Sequence, residues 1–331
     1  MRRATVTAIS AGILAASVAF GQDAPQERFP RDVIIEAIPG VIAAGSMWGV
    51  AWQGTNNADG IVAAPDGGVL FAQEQPNQIG KLDPNDNYSV FLTDTNGAGS
   101  LSVDSQGRIL AAQRTCTDPG RRTGDECVEP TMVSRLTPSH HVLADSFDGK
   151  PLGRLNDLVA DKRGGAYFTV GGAYYVSADG VTRGLGEGLR TNGIMLSPDE
   201  RTLYVTNREV VVAFDIAADG ATTNRRDFAR LAVDGTGDGM AVDALGRLYV
   251  TSQPGVQVFS PQGAYLGLIP TPRRSISVAF AGPDKRTLYI VGSGALDESG
   301  QEFTTPEGVR NNAKTIFKIP MLAQGFAGRA K

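Results

Sequence analysis

Histidine is almost missing from this chain: of 331 residues only His140 and His141 are histidines, adjacent in "TPSHHVLAD". On an extended segment they point to opposite faces and neither has a marked acid partner, so a serine triad is excluded and both are expected to face solvent. Cysteine is equally scarce. Cys116 and Cys127 lie in the polar insert "TCTDPGRRTGDEC", and with no other Cys or His nearby a zinc site is excluded. There is no basic excess either: 31 Lys and Arg against 35 Asp and Glu leave a net charge of -4, without runs of one sign. That removes the electrostatic footprint of a nucleic-acid partner. No glycine-rich loop follows a strand and opens a helix, so nucleotide chemistry has no support. Nor does any copy of the repeat described below carry a helix-length apolar period.

What is present is turn-forming sequence. The chain is 41% hydrophobic and carries 41 glycines, as expected of a globular protein with many turns. Its first residues, "MRRATVTAISAGILAASVAFGQ", set two arginines before an apolar stretch from Ala4 to Phe20 and small residues at Ala19 and Gly21. This reads as a secretory signal peptide over 1–21, removed near Gln22. The rival is a membrane anchor, for which the Ser, Thr and Gly content is unfavourable. Arg2-Arg3 lacks the flanking pattern of twin-arginine export. Removal of the signal leaves one domain, 22–331, periplasmic or secreted, with no membrane association. An oxidising compartment suits a Cys116–Cys127 disulfide closing the insert near 114–130, worth about 2–3 kcal/mol by loop closure.

One pattern recurs six times: "APDGGVLFAQ", "VDSQGRILAAQ", "VADKRGGAYFTV", "LSPDERTLYVTN", "VDALGRLYVTS" and "AGPDKRTLYIVG". Asp66, Asp104, Asp161, Asp199, Asp243 and Asp284 mark the copies at intervals of 38, 57, 38, 44 and 41 residues, and the long interval contains the cysteine insert. Blades of a four-stranded propeller repeat at roughly 40–45 residues. Each copy holds a strand, a polar turn and a second strand with period-two alternation, and segments such as "VVVAFDI" and "VQVFSP" add more. The fold class is therefore all-β, a six-bladed β-propeller with four-stranded antiparallel blades, which leaves only short edges. A two-sheet sandwich gives no reason for six regular copies.

Aligned on their first strands, four copies place a polar residue five positions before the shared turn position: Asp59 in "ADGIVAA", Asn156 in "LNDLVAD", Asn192 in "TNGIMLS" and Asp238 in "GDGMAVD". The other two copies offer Gly99 or Ser100 and Ser277 near that level. Innermost strands line a propeller's channel, so residues at one height converge on the axis. Two carboxylates and two amides suit one hard divalent cation, Ca²⁺ first, with Mg²⁺ or Mn²⁺ also fitting. Any single Asn-Gly or Asp-Gly can instead be a turn. Four in register point to a site.

The stretches "GRLNDLVAD", "TNGIMLSPDERTLYVTN" and "GDGMAVDALGRLYVTSQPGVQVFSPQGAYLGLIPTP" resemble the senescence marker protein, gluconolactonase and luciferin-regenerating enzyme family from about Asp59 to Ile319. The resemblance implies a six-bladed propeller with one catalytic divalent metal held by a Glu, two Asn and an Asp. Carried over by motif, these fall on Asn156, Asn192 and Asp238. The family's Glu-Gly-Pro is Asp59-Gly60-Ile61 here, so the fourth ligand is Asp59, or else Glu74, and the family's "YFTD" is "YFTV" ending at Val170.

The activity implied is hydrolysis of a sugar or related hydroxy-acid lactone, with the metal polarising the ring carbonyl, Asp238 as general base, and Arg154 and Asn156 binding substrate. Position, more than basicity, would give Asp238 its strength. The alternatives are a phosphotriesterase or arylesterase using the same metal, and a propeller that binds a ligand without turnover around a structural cation.

Overall fold

The computed structural model describes residues 30–331 except 115–129, 234, 304–313 and 329–330. The signal-peptide and Cys116–Cys127 assignments fall outside the described residues. Among these residues there is no helix, and the strands form six four-stranded antiparallel sheets and one small hairpin. Blades 1 to 5 follow chain order and begin at Ile61, Ala98, Leu158, Thr191 and Met240. Blade 6 takes Ser275–Ala281, Thr287–Ser293 and Lys314–Pro320, and is completed by Gly49–Gln53 from the other end of the chain. That closing strand was not foreseen from the repeats, because "GVAWQ" lies ahead of the first copy. It ties the two ends of the ring together with backbone hydrogen bonds, Gly49 opposite Lys318 and Gln53 opposite Thr315.

The first strands of neighbouring blades touch one another all round, so they line the axis. Their alternation is overwritten by burial on both faces: Ile61–Ala63, Leu158–Ala160 and Met240–Val242 are buried at every residue. The core lies between blades, where Tyr167, Tyr249, Phe71, Phe168 and Phe259 are fully buried. Burying such side chains contributes roughly 1.5–3 kcal/mol each.

The repeated aspartate shapes the turn after each first strand. Asp243 Oδ1 accepts the amides of Leu245 and Arg247, both at 2.9 Å, while Oδ2 takes Arg247 Nε at 2.5 Å and the Tyr249 hydroxyl at 2.9 Å. Asp104 and Asp161 make the same pairs of amide bonds, to Gln106 and Arg108 and to Arg163 and Gly165. Glycine follows at +3 in each, Gly107, Gly164 and Gly246, with φ of 75°, 87° and 77°. An L side chain is strained there, so "D-x-x-G" is a turn code with a mechanism.

Candidate functional site

At the other end of the first strands lie the four polar residues singled out by alignment. The backbone places three of them at one level: the amides of Asp59, Asn156 and Asp238 donate to Ala72, Thr169 and Thr251, each thirteen residues further on, at 2.8–3.0 Å. In blade 4 the ladder is interrupted between Thr191 and Ile194, and Gly193 N donates to the Thr206 hydroxyl instead, at 2.7 Å. Asn192 therefore sits on a bulge.

None of these residues is in a tight turn with positive φ, which answers why glycine follows three of them. A Cβ on Gly193 would lie 2.1 Å from the Asp238 carbonyl oxygen of the next blade. Gly60 and Gly239 meet their neighbours, Ser100 Cα and the Ile276 carbonyl oxygen, nearly as closely. Glycine lets successive inner strands approach backbone to backbone, and that approach brings their polar residues to the axis. Asn156 is followed by Asp157, which bridges instead: Oδ1 accepts the Ser100 hydroxyl at 2.6 Å and Oδ2 the Ile194 amide at 3.0 Å. Lys331 Nζ pairs with the same Oδ1 at 2.5 Å and donates to the carbonyls of Leu158 and Ile194, two residues below the site level. A cation thus floors the bore.

Blade 2 carries no polar donor at the site level, only Gly99. The space is filled from its second strand by Arg114, 3% exposed, whose Nη1 lies 2.7 Å from Asp59 Oδ2 and 2.5 Å from Glu74 Oε1. Nη2 donates to the Asn156 carbonyl. A side chain on Gly99 would collide with the pair, since its Cβ would lie 2.1 Å from Glu74 Oε1 and 2.3 Å from Arg114 Cζ. Burial alone would lower the guanidinium's pKa; Glu74 and then Asp59 overcome it and hold the charge in place. Arg154 is exposed, with Nη2 3.7 Å from Glu74 Oε1. Glu74, the alternative fourth ligand, is therefore engaged by arginine. Ser277 and Ser100 serve as clamps between blades, Ser277 Oγ accepting the Ile61 amide at 3.2 Å. Val170 packs among apolar side chains of blades 2 and 3 and offers no carboxylate.

The side chains of Asn156, Asn192 and Asp238 have no hydrogen-bond or ion-pair partner among the described residues. Asp238 is half-buried, and its carboxyl is pushed up to about 7, first by burial, then by the charge of Asp59, with Arg274 opposing and Asp157 adding. Two carboxylates facing each other without a full counter-charge, beside two uncommitted amide groups, are chemically suited to a hard cation. Of the Asp59 carboxylate, Arg114 takes Oδ2 and leaves Oδ1. No cluster of three His, Cys, Asp or Glu side chains gathers among the described residues. The donor set depends on asparagine.

Arg114, Asp157 and Lys331 were missed in the sequence. A signal existed for one pair: in "FAQE" and "AAQR" the last residue directly follows the second strand of blades 1 and 2, so Glu74 and Arg114 are opposite charges at equivalent positions in adjacent blades. In the sequence, however, Arg114 stands at the edge of the cysteine insert near 114–130.

A gluconolactonase of Zymomonas mobilis is 28% identical over 299 residues, covering 76% of this chain and 78% of that protein. Pentonolactonase of Haloferax volcanii is 29% identical over 282 residues, covering 81% and 91%. Among solved structures, a gluconolactonase of Xanthomonas campestris superposes with a TM-score of 0.67 at 22% identity, covering 91% of this chain and 98% of its own, and shares the fold. So does regucalcin, a calcium-binding protein of Agrobacterium tumefaciens, with a TM-score of 0.61 at 17% identity, covering 86% and 97%. The profile of the SMP-30/Gluconolactonase/LRE-like region matches residues 57–294, from just before Asp59 to beyond Arg274, and this chain belongs to that family.

Proposed function

We propose that this protein hydrolyses lactones of sugar acids, giving the open hydroxy acid, and that the reaction takes place where Asp59, Asn156, Asn192 and Asp238 meet. The observation that carries the proposal is the set of three uncommitted donors, Asn156, Asn192 and Asp238, from three blades. The gluconolactonase and pentonolactonase relatives support the substrate class.

Asn156, Asn192 and Asp238, with the second oxygen of Asp59, would hold one divalent cation, and the calcium-binding relative favours Ca²⁺. Bound there, it would supply Lewis acidity toward the lactone carbonyl. The chain's own groups do the rest. Asp238 accepts a proton as water attacks the carbonyl carbon, and its position beside that carbon, more than its basicity, makes it effective. The proton then passes to the ring oxygen as its bond to the carbonyl carbon breaks. Arg154, exposed at the mouth, binds substrate hydroxyls or the nascent carboxylate, with Asn156 beside it. Arg114, pinned between Asp59 and Glu74, keeps the Asp59 carboxylate in place at the edge of the site. Export remains part of the proposal, on the strength of Arg2-Arg3 and the apolar stretch after them.

Asp238→Asn is expected to abolish ring opening across a panel of aldonolactones with Ca²⁺, Mg²⁺ or Mn²⁺ supplied, chelator serving as control. A fall of at least about a hundredfold is the scale for removing a positioned base. Full activity in that variant refutes the assignment. Tight cation binding without turnover of any lactone would instead identify a propeller that binds ligand around a structural cation.

A further inference from the structure

On the opposite, turn-bearing face, blades 2 and 3 enclose a cavity of about 190 Å³ whose polar lining is almost entirely cationic: Arg108, Arg135, Lys162 and Arg163, with His141 at one side. Leu110, Arg135 and His141 are cross-strand neighbours in blade 2, so their side chains share one face. Arg108 and Arg163 are held by their turn aspartates, Arg108 Nε 2.6 Å from Asp104 Oδ2 and Arg163 Nη2 2.7 Å from Asp161 Oδ2. Arg163 is steadied further by the Tyr167 hydroxyl at 3.1 Å.

Those two carboxylates leave the balance positive. Arg135 has no acidic partner among the described residues, and its buried Nε donates to nothing. The terminal nitrogens of Arg108 and the ammonium of Lys162 also find no acceptor there. Glu200 stands at the rim, where its carboxylate accepts the Lys162 backbone amide at 2.9 Å. A buried donor on a charged group left unsatisfied is costly, and guanidinium forks fixed by neighbours are preorganised for a planar or tetrahedral oxyanion. Leu110 and Leu143 close the apolar side and limit the occupant to a small group.

We propose that this cavity binds a small, doubly charged oxyanion of the phosphate class, separately from the lactone site. The position of Arg135 makes it the central donor, with Arg108 and Lys162 completing the cradle.

The test is calorimetric titration of the full protein with inorganic phosphate, against chloride at matched ionic strength. Saturable binding of one phosphate is expected. Arg135→Gln is expected to weaken it by about tenfold or more, the scale for losing a charge-assisted hydrogen bond. Lys162→Ala, at an exposed position, should weaken it less while leaving the melting temperature unchanged. It provides the readout if Arg135→Gln does not fold. Asp238→Asn should bind phosphate like the parent. Absence of saturable heat overturns the proposal, as does unchanged affinity in a folded Arg135→Gln protein. Loss of affinity in Asp238→Asn or Arg274→Gln with Arg135→Gln unaffected would place the anion in the channel and also overturn it.

Discussion

The inner strand of blade 5 has an aspartate at each end, five residues apart, and the two live in opposite circumstances. Asp243, at the turn, is fully buried and saturated: two amides, the Arg247 guanidinium and the Tyr249 hydroxyl all donate to it. Asp238, at the channel, has none of these, and its carboxyl is held up by burial and a neighbouring charge. A satisfied buried carboxylate belongs to the fold. One whose interactions are left open marks where a ligand or reaction supplies the missing partner. The same contrast separates Asp161 from Asn156 in blade 3.

Removing the saturated member should have the larger effect on stability. Asp243→Ala leaves the largely buried Arg247 without its carboxylate and two turn amides without an acceptor. Breaking a buried pair from one side costs about 3–5 kcal/mol, a large part of the roughly 5–15 kcal/mol that holds a domain together. Urea unfolding followed by circular dichroism should register that loss. Asp238→Asn should unfold no earlier than the parent. Equal destabilisation by the two changes would dissolve the distinction between the ends.

A smaller effect is expected from Gly193→Ala, which tests how the donors are brought together. The added Cβ would lie 2.1 Å from the Asp238 carbonyl oxygen, so blades 4 and 5 must separate locally. Overpacking of this kind costs about 1–3 kcal/mol. Because the strain falls on the residue that carries the carboxylate, calcium affinity measured by calorimetry should fall as well. Alanine at Gly246, where φ is 77°, strains a turn but touches no donor, and should lower stability while sparing calcium affinity.

The turn end was the legible end. Asp, Pro and Gly at fixed offsets announce a turn through local chemistry, and six repetitions at blade spacing gave the propeller. The level of Asp59, Asn156 and Asp238 was legible too, because equal offsets from equivalent turns mean equal heights on equivalent strands. The closing strand Gly49–Gln53 was not, since it pairs with residues at the far end of the chain and has no copy to be aligned with. Nor was the Arg114 bridge, which joins the second strands of two blades through the gap left by Gly99. Periodicity reports what blades share. Contacts made by one blade's departure from the pattern are invisible to it.

The weakest effect expected is the dependence of stability on pH without cation, and its sign follows from Asp238. An unfolded aspartate titrates near 4, while in the folded protein burial, and after it Asp59, push Asp238 up to about 7. The folded state therefore binds this proton more tightly than the unfolded chain does. The resulting stabilisation is complete below the unfolded value and is lost as pH rises through about 7. Asp66 and Asp199, whose carboxyls are lowered chiefly by hydrogen bonds from Lys81 and Ser197, act in the opposite sense. Their contribution is lost only below the ordinary aspartate range, so the interval between pH 5 and 8 belongs mainly to Asp238. In chelator, melting temperatures of parent and Asp238→Asn should diverge across that interval by on the order of a few degrees, the parent falling as pH rises. Saturating calcium should cancel the fall, because a cation prefers the ionised carboxylate that burial penalises. Parallel curves for the two proteins in chelator would mean that Asp238 is already compensated, and the contrast with Asp243 would then lose its electrostatic basis.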